Sequence, residues 1–113
     1  MERKISIDSR WYDQIKLKRK TVEGRLNKGQ FKELKQNDIV YWVTKDQPPL
    51  KTIIKRITVY KSFMRYIVNE GLRHTLPSVT RLRDGLEVYY TYYTKEQEQE
   101  FGVLAIEVEV QHS

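Results

Sequence analysis

In five short segments of the chain, apolar and polar residues alternate or apolar residues run continuously, and both patterns are typical of β-strands. Ile39-Val40-Tyr41-Trp42-Val43 is the most strand-like of these segments. The longest segment is expected to bend, because long strands rarely stay straight. The five predicted strands are residues 4–8, 20–26, 39–43, 52–60 and 103–110.

Three further segments place apolar residues at helical spacing, and a fourth, acidic segment begins with the capping-box pattern Thr94-Lys95-Glu96-Gln97. Asp8 or Ser9 can cap a first helix directly after the first strand. Three more helices are predicted between the fourth and fifth strands; the first of these ends at Gly71, and Gly85 is expected to interrupt or weaken the second. Their predicted N-caps are Ser62, Ser78 and Thr94. The order of the elements, without a linker or an internal repeat, predicts a single α+β domain over residues 1–113.

The net charge of +6 is unevenly distributed along the chain. Residues 1–83 contain 20 Lys and Arg against 8 Asp and Glu, whereas residues 84–113 contain one Lys against 7 Asp and Glu. A basic excess of this size favours a polyanionic partner, because each neutralised phosphate releases counterions. Nucleic acid is the obvious candidate. The alternative is a lysine-rich surface that only keeps the protein soluble.

The composition also excludes several kinds of site. The chain has no cysteine, so a disulfide framework and a thiolate metal site are both excluded. Its two histidines, His74 and His112, are too few for an ordinary zinc or iron site, and neither a metal nor another cofactor is expected. The first residues lack the apolar core of a signal peptide, and no stretch reaches the about 20 apolar residues that span a bilayer. We therefore expect a cytoplasmic protein that does not bind membranes, and its oligomeric state stays open.

Residues 20–26 bring unlike polar groups together more densely than any other segment. In a strand, period-two alternation places the side chains of Thr21, Glu23 and Arg25 on one face and the apolar residues on the other. Gly24 would let another group approach the backbone closely. The alternative is an ordinary solvated strand with an exposed Glu–Arg pair, which contributes little to stability.

Short motifs before and after this segment follow one another in a defined order. They are Trp11, Ile15, Lys20-Thr21-Val22-Glu23-Gly24-Arg25-Leu26, Gly29, Phe31, Leu34, Asp38-Ile39-Val40, Tyr60-Lys61-Ser62-Phe63, Gly71-Leu72, Leu76-Pro77, Tyr92-Tyr93-Thr94 and Gly102-Val103-Leu104-Ala105-Ile106. In this order the motifs resemble the ASCH domain, the activating-signal-cointegrator homology family of PUA-like barrels. The resemblance covers nearly the whole chain, and the Lys-Thr-Val-Glu-Gly-Arg core is its most specific part.

The resemblance implies a small PUA-like β-barrel of about five to six strands with helices clustered on one side. It also implies that single-stranded or structured RNA, or a nucleotide-like ligand, binds in a basic cleft lined by the strand over residues 20–26. Arg25 would bind phosphate bidentately, Lys20 would add a point charge, and Thr21 or Glu23 would hydrogen-bond a base edge or a 2′-hydroxyl. The candidate binding residues are Lys20, Thr21, Glu23, Arg25, Trp11, Lys61 and Ser62.

Some proteins similar to this family are enzymes, so a metal-independent hydrolase is the alternative function. Lys20 matches the catalytic lysine of an amidohydrolase of acetylated cytidine, but Glu23 stands where that enzyme has its threonine nucleophile, which argues against amide hydrolysis. A ribonuclease needs a base, a cation and an acid. Lys20 or Glu23 would be the base, Arg25 the cation, and Tyr93 or Lys20 the acid.

Two weaker possibilities concern the surface. His74, which follows Arg73, either contacts phosphate or is an ordinary surface residue. The acidic residues 96–100 form either a solvated helix face or a contact for a basic protein partner, so a role in protein interaction is a third hypothesis.

Overall fold

The computed structural model describes residues 1–111, and His112 lies outside this range. Within it the strands are β1 (Glu2–Ser6), β2 (Val22–Leu26), β3 (Ile39–Val43), β4 (Leu50–Tyr60) and β5 (Val103–Val110). The helices are α1 (Ser9–Lys16), α2 (Phe63–Glu70), α3 (Leu72–Thr75), α4 (Leu82–Tyr92) and α5 (Lys95–Phe101), and a 3₁₀ turn spans Gly29–Glu33. The predicted order of the five strands and of four helices is confirmed, and α3 is an additional helix.

The five strands of the described range form one sheet in the order β1-β3-β4-β5-β2. β1 runs parallel to β3, and the remaining neighbours are antiparallel. The register between β4 and β5 shifts between Ile54 and Arg56, and a bulge of this kind bends a strand and increases its twist. The sheet therefore curls into a half-barrel whose two edges, β1 and β2, are not paired with each other. The predicted α+β fold with a strongly bent sheet is confirmed.

The core lies inside this curled sheet and under the helices. Trp42 and Phe63 are completely buried, and Tyr89 is nearly so, as the apolar patterns around them predict. Phe101 is only partly buried against the core. The buried polar atoms of Trp42 and Thr52 are paired: the Trp42 indole Nε1 donates to Thr52 Oγ1 at 3.0 Å, and that hydroxyl donates to the Val40 carbonyl at 2.9 Å. Pairing of this kind removes most of the cost of burying a polar atom.

The region between α2 and α4 differs from the prediction. The second of the three helices does not begin at Ser78, whose φ of +83° is left-handed, but at Leu82. Gly85 does not interrupt α4, which is continuous from Leu82 to Tyr92. A Cβ atom at Gly85 would lie 2.9 Å from the Leu72 side chain. The glycine therefore lets α4 pack directly against α3, a short helix that the sequence patterns did not predict.

No helix within residues 1–111 combines the length and the hydropathy that crossing a bilayer requires. In the same part of the chain, no three side chains of His, Asp or Glu group together as metal ligands would.

Candidate functional site

A cleft of about 240 Å³ opens where the two unpaired edges of the sheet face each other. One wall comes from the end of β1 and the turn after it, and the other comes from β2. The end of α4 and residues beside it complete the lining. The lining residues are Ser6, Ile7, Asp8, Trp11, Lys20, Glu23, Gly24, Arg25, Leu76, Val88, Tyr89, Tyr92 and Tyr93.

Lys20 is a buried ammonium group beside this cleft, with only 1% of its surface exposed. Its Nζ donates to the carbonyl oxygens of Val22, at 3.0 Å, and of Thr75. It also lies 3.1 Å from Glu23 Oε1. Burial lowers the pKa of Lys20 below its usual value, although the neighbouring carboxylate opposes this shift. All three N–H donors of the ammonium group thus have acceptors within the protein.

Glu23 is the acceptor at the centre of the cluster. Its Oε1 accepts from the Gly24 backbone N–H at 3.1 Å as well as from Lys20, and its Oε2 accepts from Arg25 Nε at 3.0 Å. Burial alone would raise the pKa of Glu23, but the charges of Lys20 and Arg25 outweigh it and hold this pKa below its usual value. Two cations and one carboxylate leave the cluster with a net positive charge.

Arg25 connects the two edges of the sheet. Besides its bond to Glu23, it donates from Nη2 to the Ser6 carbonyl on β1 at 2.8 Å. Its guanidinium lies 5.5 Å from the centre of the Phe31 ring and 5.8 Å from that of Trp42. Within residues 1–111 the hydrogen bonds of this guanidinium use Nε and Nη2, and Nη1 makes none.

Aromatic rings form the rest of the cleft. Tyr92 is 57% exposed, whereas Trp11 is buried except for 6% of its surface, and the Arg10 guanidinium lies 4.3 Å from its ring centre. Phe63 stacks between Tyr89 and Tyr93, with centroid distances of 4.7 and 5.5 Å. This stack fixes the orientation of the Tyr93 ring at the cleft, and burial raises the pKa of its hydroxyl.

Gly24 permits a close approach of the kind that the sequence suggests. A Cβ atom there would lie 2.6 Å from Tyr66 Cζ, so the Tyr66 ring packs where any side chain would stand. The Tyr66 hydroxyl is 2.9 Å from that of Tyr89, which lines the cleft. Gly24 therefore lets the Tyr66 ring of α2 pack directly against β2, and the Tyr66–Tyr89 contact connects this packing to α4.

The sequence profile of the ASCH domain matches residues 5–112. The chain belongs to the ASCH domain family. A search of curated proteins gave no match. Two solved structures resemble this ASCH domain over nearly its whole length, and the shared α+β fold is consistent with the expected small PUA-like barrel. The crystal structure of hypothetical protein PH0355 has a TM-score of 0.92 and 32% identity, covering 98% of this chain and 100% of that chain. The solution structure of protein PF0455 from Pyrococcus furiosus has a TM-score of 0.83 and 34% identity, covering 100% of both chains.

The ASCH domain brings five of the candidate residues together in the cleft: Trp11, Lys20, Glu23, Arg25 and Tyr93. Thr21 lies elsewhere, because its backbone N–H donates to the His74 carbonyl at 3.0 Å and its hydroxyl is 3.4 Å from His74 Nδ1. The expected row of three polar side chains is therefore reduced to Glu23 and Arg25. Lys61 and Ser62 also lie outside the cleft; Lys61 is exposed, and the Ser62 hydroxyl caps α2 by accepting from the Arg65 N–H at 3.1 Å.

Eight residues of the cleft lining are not among the candidates from sequence, and Asp8, Tyr89 and Tyr92 are three of them. The apolar pattern assigns Tyr89 to the core, and Asp8 is a predicted helix cap. The structure confirms that Tyr89 is buried and that Asp8 caps α1, and both residues also line the cleft. The sequence does not decide between core and surface for Tyr92. The available signal is the spacing of Tyr89, Tyr92 and Tyr93, which puts their rings on one side of a helix end.

Proposed function

We propose that this ASCH domain binds RNA by taking an unstacked base into the cleft. The observation that carries the proposal is the combination of aromatic rings with a positively charged Lys20–Glu23–Arg25 cluster in one cleft. Proteins that recognise RNA in sequence-specific fashion stack splayed bases on aromatic or guanidinium planes and hydrogen-bond their edges. The basic excess of residues 1–83 also favours a polyanionic ligand.

The cleft residues divide into two roles. Tyr92 and Tyr93 offer ring surfaces on which a base can stack, and each stacked base contributes about 1–3 kcal/mol. Arg25 has a donor left for a phosphate oxygen or a base carbonyl. Glu23 holds this guanidinium in place by accepting from its Nε, and Lys20 in turn holds Glu23. The hydrogen bonds of Lys20 itself are already made within the protein.

Hydrolysis is the second candidate function, and one observation favours it: burial lowers the pKa of Lys20, the direction that a general base requires. The hydrogen bonds oppose this role. A base must accept a proton, whereas all three donors of the Lys20 ammonium are engaged and one faces a carboxylate. Glu23 is equally occupied by Lys20, Gly24 and Arg25. RNA binding therefore agrees better with the geometry.

The test is binding of labelled single-stranded and structured RNA to the purified protein, with each sample also run on a denaturing gel. Tyr92→Ala removes an exposed ring from the cleft and should weaken binding roughly tenfold, the loss of one stacked base. Met64→Ala removes a similarly exposed apolar side chain outside the cleft and should bind as the wild type does.

Three results would contradict the proposal in different ways. Absence of saturable binding by the wild type would remove RNA as the ligand. Equal affinity of wild type and Tyr92→Ala would show that the base does not enter this cleft. RNA that is shortened by the wild type and stays intact with Glu23→Gln would favour the ribonuclease instead.

A further inference from the structure

A second concave surface is lined by residues that directly follow cleft residues in the chain, and we call it the basic groove. Its polar lining residues are Lys18, Arg19, Thr21, Arg73, His74, Ser78 and Thr80. Leu72 and Pro77 are among the apolar residues of its lining. Lys20 lines the cleft and Thr21 lines the basic groove, so two consecutive residues belong to neighbouring sites. Consecutive Cα atoms are only about 3.8 Å apart.

The charge of the basic groove is not compensated by the protein. No carboxylate lines it, and within residues 1–111 neither Lys18, Arg19 nor Arg73 takes part in an ion pair. Other arginines are paired: Arg3 with Glu33, and Arg56 with Glu70 and Glu107. The cations of the groove are exposed to solvent and make a locally positive surface that attracts anions.

Backbone hydrogen bonds hold this surface in a defined shape. At the end of α1 the Lys18 N–H donates to the Ile15 carbonyl at 2.9 Å, and the Arg19 N–H donates to the Gln14 carbonyl at 3.0 Å. These two bonds form a Schellman turn, whose left-handed position usually holds glycine. Here it holds Lys18, with φ of +64°. The fold thus places a cation where a residue without a side chain would be less strained.

The other side of the basic groove comes from α3 and the segment after it. The Thr21 N–H donates to the His74 carbonyl at 3.0 Å, which fastens the turn after α1 to α3. Cations from the turn after α1 and from α3 therefore line one groove together with hydroxyl groups from Thr21 and Thr80. Phosphate oxygens are bound in proteins by this combination of Arg, Lys and hydroxyl donors.

We propose that the basic groove binds the phosphate backbone of the RNA strand whose base enters the cleft. This inference rests on the proposed function and adds the path of the strand. A strand that places one base beside Lys20 passes Thr21 and then meets Lys18, Arg19 and Arg73. These contacts carry no sequence information; they add salt-dependent affinity and fix the direction of the strand.

The experiment measures RNA affinity over a series of salt concentrations for three variants. The groove variant is Lys18→Gln/Arg19→Gln/Arg73→Gln. Its matched control is Lys32→Gln/Lys45→Gln/Lys51→Gln, which removes the same charge from exposed positions outside the cleft and the basic groove. The cleft variant is Tyr92→Ala. Thermal unfolding of each variant shows that it is folded.

The groove variant should bind RNA roughly tenfold or more weakly, and the slope of log affinity against log salt should fall by about 2, because each phosphate contact to a single strand contributes about 0.7. The control should change that slope much less. If the groove variant and the control behave alike while Tyr92→Ala weakens binding, the basic groove is not the phosphate path and the proposed function stands. If the groove variant weakens binding and Tyr92→Ala does not, the groove is supported and the cleft is overturned. If the wild type binds no RNA, both proposals fail.

Discussion

Lys20 is an ammonium group almost without contact with water, and the fold retains it because three acceptors surround it. A buried charge with complete hydrogen bonds is tolerated, whereas one that loses its partner is strongly destabilising. The same holds for Glu23, whose two oxygens are shared among Lys20, Arg25 and a backbone N–H. The stability of the cleft therefore depends on keeping the cluster complete.

Replacing Lys20 with Met should reduce the free energy of unfolding by about 3–5 kcal/mol. The methionine fills much of the space but leaves the Glu23 carboxylate with one cation instead of two, and it removes the ammonium donor from the carbonyl oxygens of Val22 and Thr75. Denaturant unfolding measures the change. The double variant Lys20→Met/Glu23→Gln should be less destabilised than the single variant, because it also removes the buried negative charge. A single variant within about 0.5 kcal/mol of the wild type would contradict this view of the cluster.

The pH dependence of stability should show the low pKa of Glu23. Since this pKa is lower in the folded protein than the unfolded value of about 4.3, the ionised carboxylate stabilises the fold above that pH. The contribution is lost as the pH falls through the folded-state pKa, because the folded protein must then accept a proton that the unfolded chain has already bound. The difference in free energy of unfolding between wild type and Glu23→Gln should therefore shrink below about pH 4. A constant difference down to acid unfolding would show that Glu23 does not titrate in this way.

At the scale of a residue, the sequence predicted which groups meet but not how deeply they lie. Alternation placed Glu23 and Arg25 on one face, and they do share it. It could not foresee that Glu23 is buried, because the residues that line the cleft with it come from β1, α1 and α4, which are distant in the sequence. Thr21 left the expected row because β2 begins only at Val22, so strand parity does not constrain the residue before it.

The ends of the helices show which elements local chemistry decides. Ser62, Gly71 and the Thr94–Gln97 capping box act where the sequence predicts, because a cap needs only neighbouring residues of the same chain segment. The predicted start of α4 was wrong because Ser78 satisfies the sequence rule for a cap but adopts a left-handed backbone after Leu76-Pro77. The predicted interruption at Gly85 was wrong. This position holds glycine because α4 packs there against Leu72 of α3, and no local sequence pattern reveals that contact.

Ser62 allows a test that separates a structural role from a binding role. Ser62→Ala should lower the free energy of unfolding by about 1 kcal/mol, the usual cost of losing an N-cap, and should leave RNA affinity unchanged. Denaturant unfolding and RNA titration measure the two effects. Ser62→Asp retains a cap acceptor and should recover the stability. Weaker RNA binding by Ser62→Ala at unchanged stability would return this residue to the binding surface.

For the molecule as a whole, the sequence predicted the class of fold and the bent sheet, because strand order and helix spacing follow from periodicity. The sequence could not predict the cleft, because it forms only where β1 and β2, the two edge strands of the sheet, come to face each other. The basic groove likewise needs the end of α1 beside α3. Both sites are products of tertiary contact between segments far apart in the sequence.

The bond from Arg25 to Ser6 should control how firmly the first strand is held. Arg25→Lys keeps the charge but cannot bond Glu23 and Ser6 with two arms of one rigid group. Amide hydrogen exchange should become faster at Ile7, whose N–H donates to the Val43 carbonyl at the end of β1, and stay unchanged in the paired centre of β4 and β5. Equal exchange at Ile7 in both proteins would show that the bond to Ser6 is dispensable.

Arg25 forms a hydrogen bond across the gap between β1 and β2, and within residues 1–111 its Nη1 makes no hydrogen bond. A ligand bound through Nη1 leaves the bond to Ser6 in place and stabilises the folded state in proportion to its occupancy. The melting temperature of the protein should then rise with ligand concentration, about 2.7 kcal/mol of added stability being expected at a hundred times the dissociation constant. Unlabelled nucleosides, nucleotides and short oligonucleotides can therefore be ranked by thermal shift alone, and the ranking would show which base, if any, the cleft prefers.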